Sequence, residues 1–487
     1  MKPKILFIQP LTTLLDTKKD KPTPPFGILS AIRHLPKEFE IEILDQRLAT
    51  NFKDELEKRL KSEQLPTFVG LSVIAGPMVK YALEISDLIK KLNTHLPVVW
   101  GGPHSFIAGE LAIKDPRIDV VACGEGEETI VDLASALAVG GALFKVAGLY
   151  IKEGDETFFT GARELVELNG LPPVSYKPVG SRYFYPSLGR PTAFFETSRG
   201  CPYRCAFCYQ STQNFSWRAA SAQWVKDALE FLLKENPQVK HLYVADDNYF
   251  FDKERALEIA SNLLNAGYDL TYQIQGASLS DLARFSFEEL RTLGKSGCVR
   301  VDIGAETGSE RIARMINKPS NVEKLFEVAK NLSEAGIIPW VNFMVGFPGE
   351  TASDLKATLI SVNRLLREVP DVLLSPVYTY YPYPQTALYE RALQLGFKPP
   401  ENIADLSRAS WNSPVTPWVK NGEKKLFENL YFYSIFVDRK IEYYRTGVGT
   451  KILSRLFRPI ARFRLKYGFF FFPVEKWLFK LVYGGEY

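Results

Sequence analysis

The chain has 487 residues, 46% hydrophobic and 24% charged, enough apolar material for two or three cored domains. Its net charge of +4 is small for that length and argues against nucleic acid as a partner. Five cysteines, three of them packed between positions 201 and 208, are no disulfide framework and imply a reducing cytoplasm.

The chain opens with Met1 to Ile8, an apolar run too short for a secretion signal that reads better as a strand. Short apolar runs then alternate with amphipathic segments over residues 1–140, which predicts a doubly wound parallel sheet covered by helices. Its strands are expected at Ile5 to Gln9, Glu40 to Leu44, Phe68 to Val73, Val98 to Trp100 and Val120 to Ala122, with a helix over Met78 to Leu92. Ligands bind such sheets at the carboxyl ends of the strands. The glycine and polar signals stand there: Pro25-Phe26-Gly27, Gly70-Leu71-Ser72, Gly101-Gly102-Pro103-His104 and Gly124-Glu125-Gly126-Glu127. Residues 141–190 read as a linker with a hairpin around Glu153-Gly154-Asp155.

Over residues 191–400 six βα units follow one another, the pattern of a partial barrel with its chemistry at the strand ends. The first strand leads into Cys201-Pro202-Tyr203-Arg204-Cys205-Ala206-Phe207-Cys208. Three thiolates at this spacing converge on one soft metal centre, iron-sulfur, zinc or copper(I). A structural zinc would have a fourth Cys or His nearby. None is present: the remaining candidates are Cys123, Cys298, His34, His95, His104 and His241. Cys123 and Cys298 fall in apolar runs, where buried free thiols are expected. No uninterrupted apolar stretch reaches the ~20 residues of a membrane-spanning helix. Residues 401–487 read as helical, and Arg445 to Lys480 interleaves basic and aromatic residues, notably Phe469 to Phe472 and Trp477-Leu478-Phe479. Such a segment lies on an anionic membrane or docks on the barrel and closes its site.

The Cys-x3-Cys-x-aromatic-Cys loop, with Phe207 at the aromatic position, resembles that of the radical SAM enzymes, and the strand-end order of residues 1–140 resembles the cobalamin-binding domain that precedes many of them. Together the chain is similar to cobalamin-dependent radical SAM methyltransferases over residues 1 to about 400. The resemblance implies a Rossmann-like cobalamin domain, a (β/α)6 partial TIM barrel and three cofactors: a 4Fe-4S cluster on Cys201, Cys205 and Cys208, S-adenosylmethionine, and cobalamin. It places S-adenosylmethionine against Phe207, Asp247, Asn248, Glu306 and Gly346, and cobalamin against Phe26, Gly27, Ser72, Gly101, Gly102, His104, Gly124 and Glu125.

Three positions depart from the family pattern. The loop Pro10 to Asp16 lacks the histidine that ligates cobalt in other cobalamin domains, so base-off cobalamin with no protein histidine ligand is expected. Asp246-Asp247-Asn248 replaces the usual Gly-Gly-Glu, and Gln385 stands where the family has glycine. The reaction implied is methyl transfer to an unactivated carbon after hydrogen abstraction by a 5′-deoxyadenosyl radical. Alternatives are a rearrangement, cyclisation or oxidation without methyl transfer, or a non-catalytic cobalamin sensor. An electron donor such as flavodoxin or ferredoxin is implied as partner. Aromatics at Trp340, Tyr378, Tyr380, Tyr381 and Tyr383, with the basic aromatic tail, point to a hydrophobic small-molecule substrate such as a lipid or tetrapyrrole, and to a cytoplasmic protein with peripheral membrane contact.

Overall fold

The computed structural model describes residues 2–12, 22–184, 186–212, 216–318, 322–412, 415–443 and 448–477. Thr13 to Asp16 of the loop after the first strand, and Arg445, Leu478, Phe479 and Lys480 of the basic aromatic region, lie outside them. The chain divides into two units. The first comprises Met1–Phe184, Glu230–Pro237 and Pro399–Ala409, and the second Tyr185–Leu229, Gln238–Lys398 and Ser410–Tyr487.

The first unit holds strands β1 (Lys4–Gln9), β2 (Glu40–Asp45), β3 (Phe68–Ser72), β4 (Val98–Gly101), β5 (Val120–Ala122), β6 (Leu149–Glu153) and β7 (Glu156–Phe159), in the order β2-β1-β3-β4-β5-β6-β7. The first five are parallel. Burial on both faces explains why Ile5, Leu6, Phe7 and Ile8 are all apolar. The hairpin foreseen around Gly154 forms and joins this sheet, with β6 antiparallel to β5. Helices α1 (Phe26–Ala31), α2 (Phe52–Leu60), α3 (Met78–Leu92), α4 (Ser105–Ile113) and α5 (Gly126–Ala138) connect the strands. α1 packs with α5, and α2 with α3. Strand order switches direction between β1 and β3, the crevice where such sheets take ligands.

The second unit holds β8 (Pro186–Ser187), β9 (Arg190–Phe195), a two-stranded ribbon of β10 (Ser198–Arg199) and β11 (Arg218–Ala219), then β12 (His241–Val244), β13 (Thr271–Ser278), β14 (Cys298–Glu306), β15 (Ile338–Val345), β16 (Leu373–Leu374) and β17 (Tyr378–Thr379). Six strands, β9-β12-β13-β14-β15-β16, run parallel side by side as a half-barrel. The sixth expected strand, Leu373 to Tyr380, is broken in two. Pro376 lies in the break and has no N–H to give a ladder. The free backbone is taken up by the C-terminal region: Leu374 N donates to Asp438 Oδ2 at 2.8 Å and Val377 N to Ser434 Oγ at 2.8 Å. Residues 421–443, which precede the basic aromatic segment, therefore dock on the barrel's edge.

Strand alternation separates two linings. Leu242, Val244, Ile274, Val301, Ile303, Val341 and Phe343 form a buried aliphatic and aromatic set. The intervening positions are polar: His241 bonds Thr271 and Gln273, Arg300 pairs with Asp302 at 2.7 Å, and Trp340 Nε1 donates to Asn342.

Candidate functional site

In the second unit the cysteine loop leaves β9 and is tied down at several points. Asp246, at the end of β12, is buried and accepts from Thr197 N (2.7 Å), Thr197 Oγ1 (2.6 Å) and Ser198 Oγ (2.6 Å). Asp247 accepts from Gly200 N at 2.9 Å, one residue before the first cysteine. Gly276 makes this possible: a Cβ there would stand 2.1 Å from the Asp246 carbonyl oxygen and 2.5 Å from that of Asp247.

Inside the loop, Cys208 N donates to Cys205 O and Ala206 N to Ile316 O. Ala206 belongs to a core of Ile312, Ile316, Phe347, Tyr380 and Leu388, against which Phe207 packs with its ring centroid 5.9 Å from that of Phe347. Phe207 thus anchors the loop. Tyr203 is a second anchor: its hydroxyl donates to Asp281 Oδ1 at 2.8 Å and accepts from Ser280 Oγ at 2.9 Å. Asn248, expected against S-adenosylmethionine, donates to Asp281 Oδ2 at 2.7 Å, while its Oδ1 is buried without a hydrogen-bond partner.

Cys201, Cys205 and Cys208 are free thiols. Burial pushes Cys201 up to about 11 and Cys208 to about 12, and raises Cys205. Lys318 opposes this at all three, because its ammonium favours a nearby thiolate. Lys318 is itself paired with Glu306 Oε1 at 3.4 Å. Glu306 ends β14 with φ 64, a left-handed conformation that a non-glycine residue adopts at a cost and that clusters at functional sites. Among the described residues no three His, Cys, Asp or Glu side chains already stand in metal-ligating positions. What fits an iron-sulfur cluster is the donor set: three thiols of one loop, within electrostatic reach of one another and of a cation.

Gly346 opens the turn after β15 with φ 83. Glu350 closes it, its Oε2 accepting from Gly346 N at 2.5 Å and Phe347 N at 3.3 Å. The following helix, Ala352–Glu368, is capped by Thr351 and Asp354, so Glu350 does not cap it. Burial lifts Glu350 to about 7. Trp418 Nε1 donates to Gly346 O at 3.0 Å, so the C-terminal region covers this turn. Gln385, where the family has glycine, also adopts a left-handed φ of 66.

Of the expected cavity aromatics, Trp340, Tyr380 and Tyr381 are buried. Tyr378 and Tyr383 are half-buried beside Trp411.

In the first unit the strand ends are bare. Ser72 and Gly101 are register partners, and a Cβ on Gly27 would lie 3.7 Å from Ser72 Oγ, so these three share one edge. Gly102 adopts φ 122, and a Cβ there would stand 2.4 Å from Val73 O. Phe26 opens α1 beside Gly27, and Gly124 follows β5 with φ 86. An edge so free of side chains fits a large planar ligand that approaches the backbone.

His104 is buried, and its Nδ1 accepts from Ala75 N at 2.9 Å. Burial lowers it to about 4, so the ring is neutral. It lines a small apolar pocket with Val73, Trp100, Gly101 and Leu406. Glu125 turns away to accept from Val166 N at 2.9 Å. Glu127, named in the strand-end motif but given no role there, ties α5 to Ser30 of α1 and to Arg33 just beyond it. The sequence reading missed Asp281, Tyr203 and Lys318; of these only Tyr203 sits inside a recognisable motif.

Comparison with known proteins finds two families: a B12 binding domain over residues 14–134 and the radical SAM superfamily over residues 195–361. An uncharacterized methyltransferase of Pyrococcus horikoshii is 29% identical over 375 residues, 76% of this chain and 78% of that protein. The anaerobic magnesium-protoporphyrin IX monomethyl ester cyclase of Rubrivivax gelatinosus is 26% identical over 374 residues, 75% of this chain and 65% of the cyclase. Among solved structures, the cobalamin-dependent S-adenosylmethionine radical enzyme OxsB, with aqua-cobalamin and S-adenosylmethionine bound, matches with TM-score 0.76 and 20% identity, covering 99% of this chain and 75% of its own.

Proposed function

We propose, from the premise that this chain belongs to the radical SAM superfamily and carries a B12-binding domain ahead of its radical domain, that it is a C-methyltransferase acting on an unactivated carbon of an apolar small molecule. The observation that carries this is the loop of three free thiols at the barrel's strand ends, flanked by Lys318 and the left-handed Glu306. A 4Fe-4S cluster with S-adenosylmethionine supplies, when bound, one-electron cleavage and a hydrogen-abstracting radical, and cobalamin supplies the methyl group.

The chain's own residues do the positioning. Cys201, Cys205 and Cys208 would hold the cluster; Asp246, Asp247, Tyr203 and Phe207 keep their loop in place. Glu306 offers two carboxylate oxygens to a ribose diol. Gly346 and the Glu350-closed turn admit a flat base against backbone. Gly27, Ser72, Gly101, Gly102 and Gly124 would cradle cobalamin, with His104 neutral and Nδ1 engaged, in keeping with a cobalt that takes no protein histidine. Reduction of the cluster calls for an external donor of the flavodoxin or ferredoxin class. The apolar substrate brings with it peripheral membrane contact by the C-terminal region.

Anaerobic reconstitution with iron, sulfide and cobalamin, followed by reduction with S-adenosylmethionine, tests the reading. Cluster and cobalamin absorption together with 5′-deoxyadenosine are expected, and cells expressing the chain should hold an apolar product heavier by one methylene unit. A reconstituted chain that yields no 5′-deoxyadenosine overturns it. The cyclase relative supports a second reading, cyclisation or rearrangement without methyl transfer. A product whose mass gains no methylene decides for that one.

A further inference from the structure

Helix Val448–Tyr467 presents three faces. Ser454, Phe457, Ala461 and Leu465 are buried, at the spacing of one helical face. Ile452, Leu456, Ile460, Phe463 and Tyr467 line a second face and are 41–65% exposed. Lys451, Arg455, Arg462 and Lys466 line the third, and the helix contains no acidic residue. Beyond its end the apolar face continues through Phe469, Phe471, Phe472, Val474 and Trp477, 46–84% exposed.

This display is held in place. Arg464 is buried and donates to the carbonyl oxygens of Phe469, Phe471 and Phe472, each at 3.0 Å, while it pairs with the buried Glu475. Tyr433 adds a hydrogen bond to Glu475 at 3.0 Å. A buried ion pair carries a desolvation cost, and here it shapes a loop in which Phe469, Phe471 and Phe472 face solvent while Phe470 stacks on Tyr433. Soluble monomers rarely leave so continuous an apolar surface uncovered.

Charge selects the occupant. An apolar stripe bordered by cations, with aromatic rings at its end, matches the plane of anionic headgroups above an acyl layer. No helix among the described residues is long and apolar enough to cross a membrane. We propose that the face from Ile452 to Trp477 seats the protein on an anionic lipid surface, with Phe471 and Phe472 entering the acyl boundary and Lys451 and Lys466 meeting headgroups. This deepens the membrane contact proposed above and rests on that reading only for the apolar substrate it would serve.

Flotation of the full chain with phosphatidylcholine vesicles, with and without phosphatidylglycerol, tests it. The chain should float with the anionic vesicles and be released by salt. Phe471→Ser with Phe472→Ser should weaken partitioning about tenfold or more, and Lys451→Glu with Lys466→Glu should abolish the preference for phosphatidylglycerol. Unfolding temperature should be unchanged in both, since all four side chains lie at the surface or partly so. A chain that floats with neither vesicle, or a double-serine variant that floats like the parent, overturns the proposal. So does a parent dimer that the serine variant converts to monomer without any vesicle binding, which would give the face to a second copy. Flotation does not involve methyl transfer, so failure of one reading leaves the other standing.

Discussion

Both sites sit at the carboxyl ends of parallel strands, but they are made of opposite materials. In the first unit the edge is defined by what is missing: Gly27, Gly101, Gly102 and Gly124 leave backbone bare, and the two carboxylates of the motif are engaged elsewhere, Glu125 with Val166 N and Glu127 with Ser30 and Arg33. In the second unit the edge is crowded with ionic and hydrogen-bonded side chains, from Asp246 and Asp281 to the Glu306–Lys318 pair. A site shaped by absence fails when a side chain is added; a site shaped by a network fails when one is removed.

The largest expected effect separates the two units. Cys201→Ala should abolish cluster absorption and product formation while cobalamin titration of the same sample is unchanged; joint loss of both would show that the two edges are not independent. Next comes Gly276→Ala, where the new Cβ would meet backbone oxygens of Asp246 and Asp247. It should cost about 3 kcal/mol of stability and impair cluster loading, measured by denaturant unfolding and iron content. Gly102→Ala should act on the other edge, since the residue combines φ 122 with a 2.4 Å approach to Val73 O. A loss of about 2 kcal/mol in cobalamin affinity is expected, read by optical titration, with the cluster intact. Equal loss of both cofactors would erase the distinction.

The same contrast governs what could be read from the sequence. All five parallel strands of the first sheet and helix Met78–Leu92 were legible, because strands buried on both faces stay apolar throughout and the helix carries its stripe. Glycines announced the bare edge for the same reason: only they supply the required backbone. The cysteine loop was legible from donor type and spacing. The side chains that hold it were not, since Asp281 lies 73 residues beyond Cys208 in a segment of ordinary composition and meets Tyr203 only through the barrel's curvature. Asn248, whose place in a motif predicted ligand contact, also bonds Asp281 through its amide, a partner the sequence does not reveal. The break in the sixth strand was likewise missed, because its repair depends on Ser434 and Asp438, about 60 residues away.

The smallest effect tests whether the bare edge has a polar weak point. His104 is a buried side chain of these motifs, and burial lowers it to about 4 from 6.5. The folded pKa lies below the unfolded one, so as pH falls below 6.5 the unfolded chain takes up a proton that the folded ring refuses. Stability is therefore full above pH 6.5 and is lost as pH drops toward 4, where the folded ring also protonates. Between pH 7 and pH 5 the loss should be about 2 kcal/mol. His104→Gln keeps an acceptor for Ala75 N and cannot titrate, so denaturant unfolding of the variant should lose that slope, whereas the acid sensitivity of the buried His241 in the second unit should persist. An unchanged slope in the variant would mean that His104 is already protonated or open to water in the folded chain, and the first edge would then carry a charge that its glycines do not reveal.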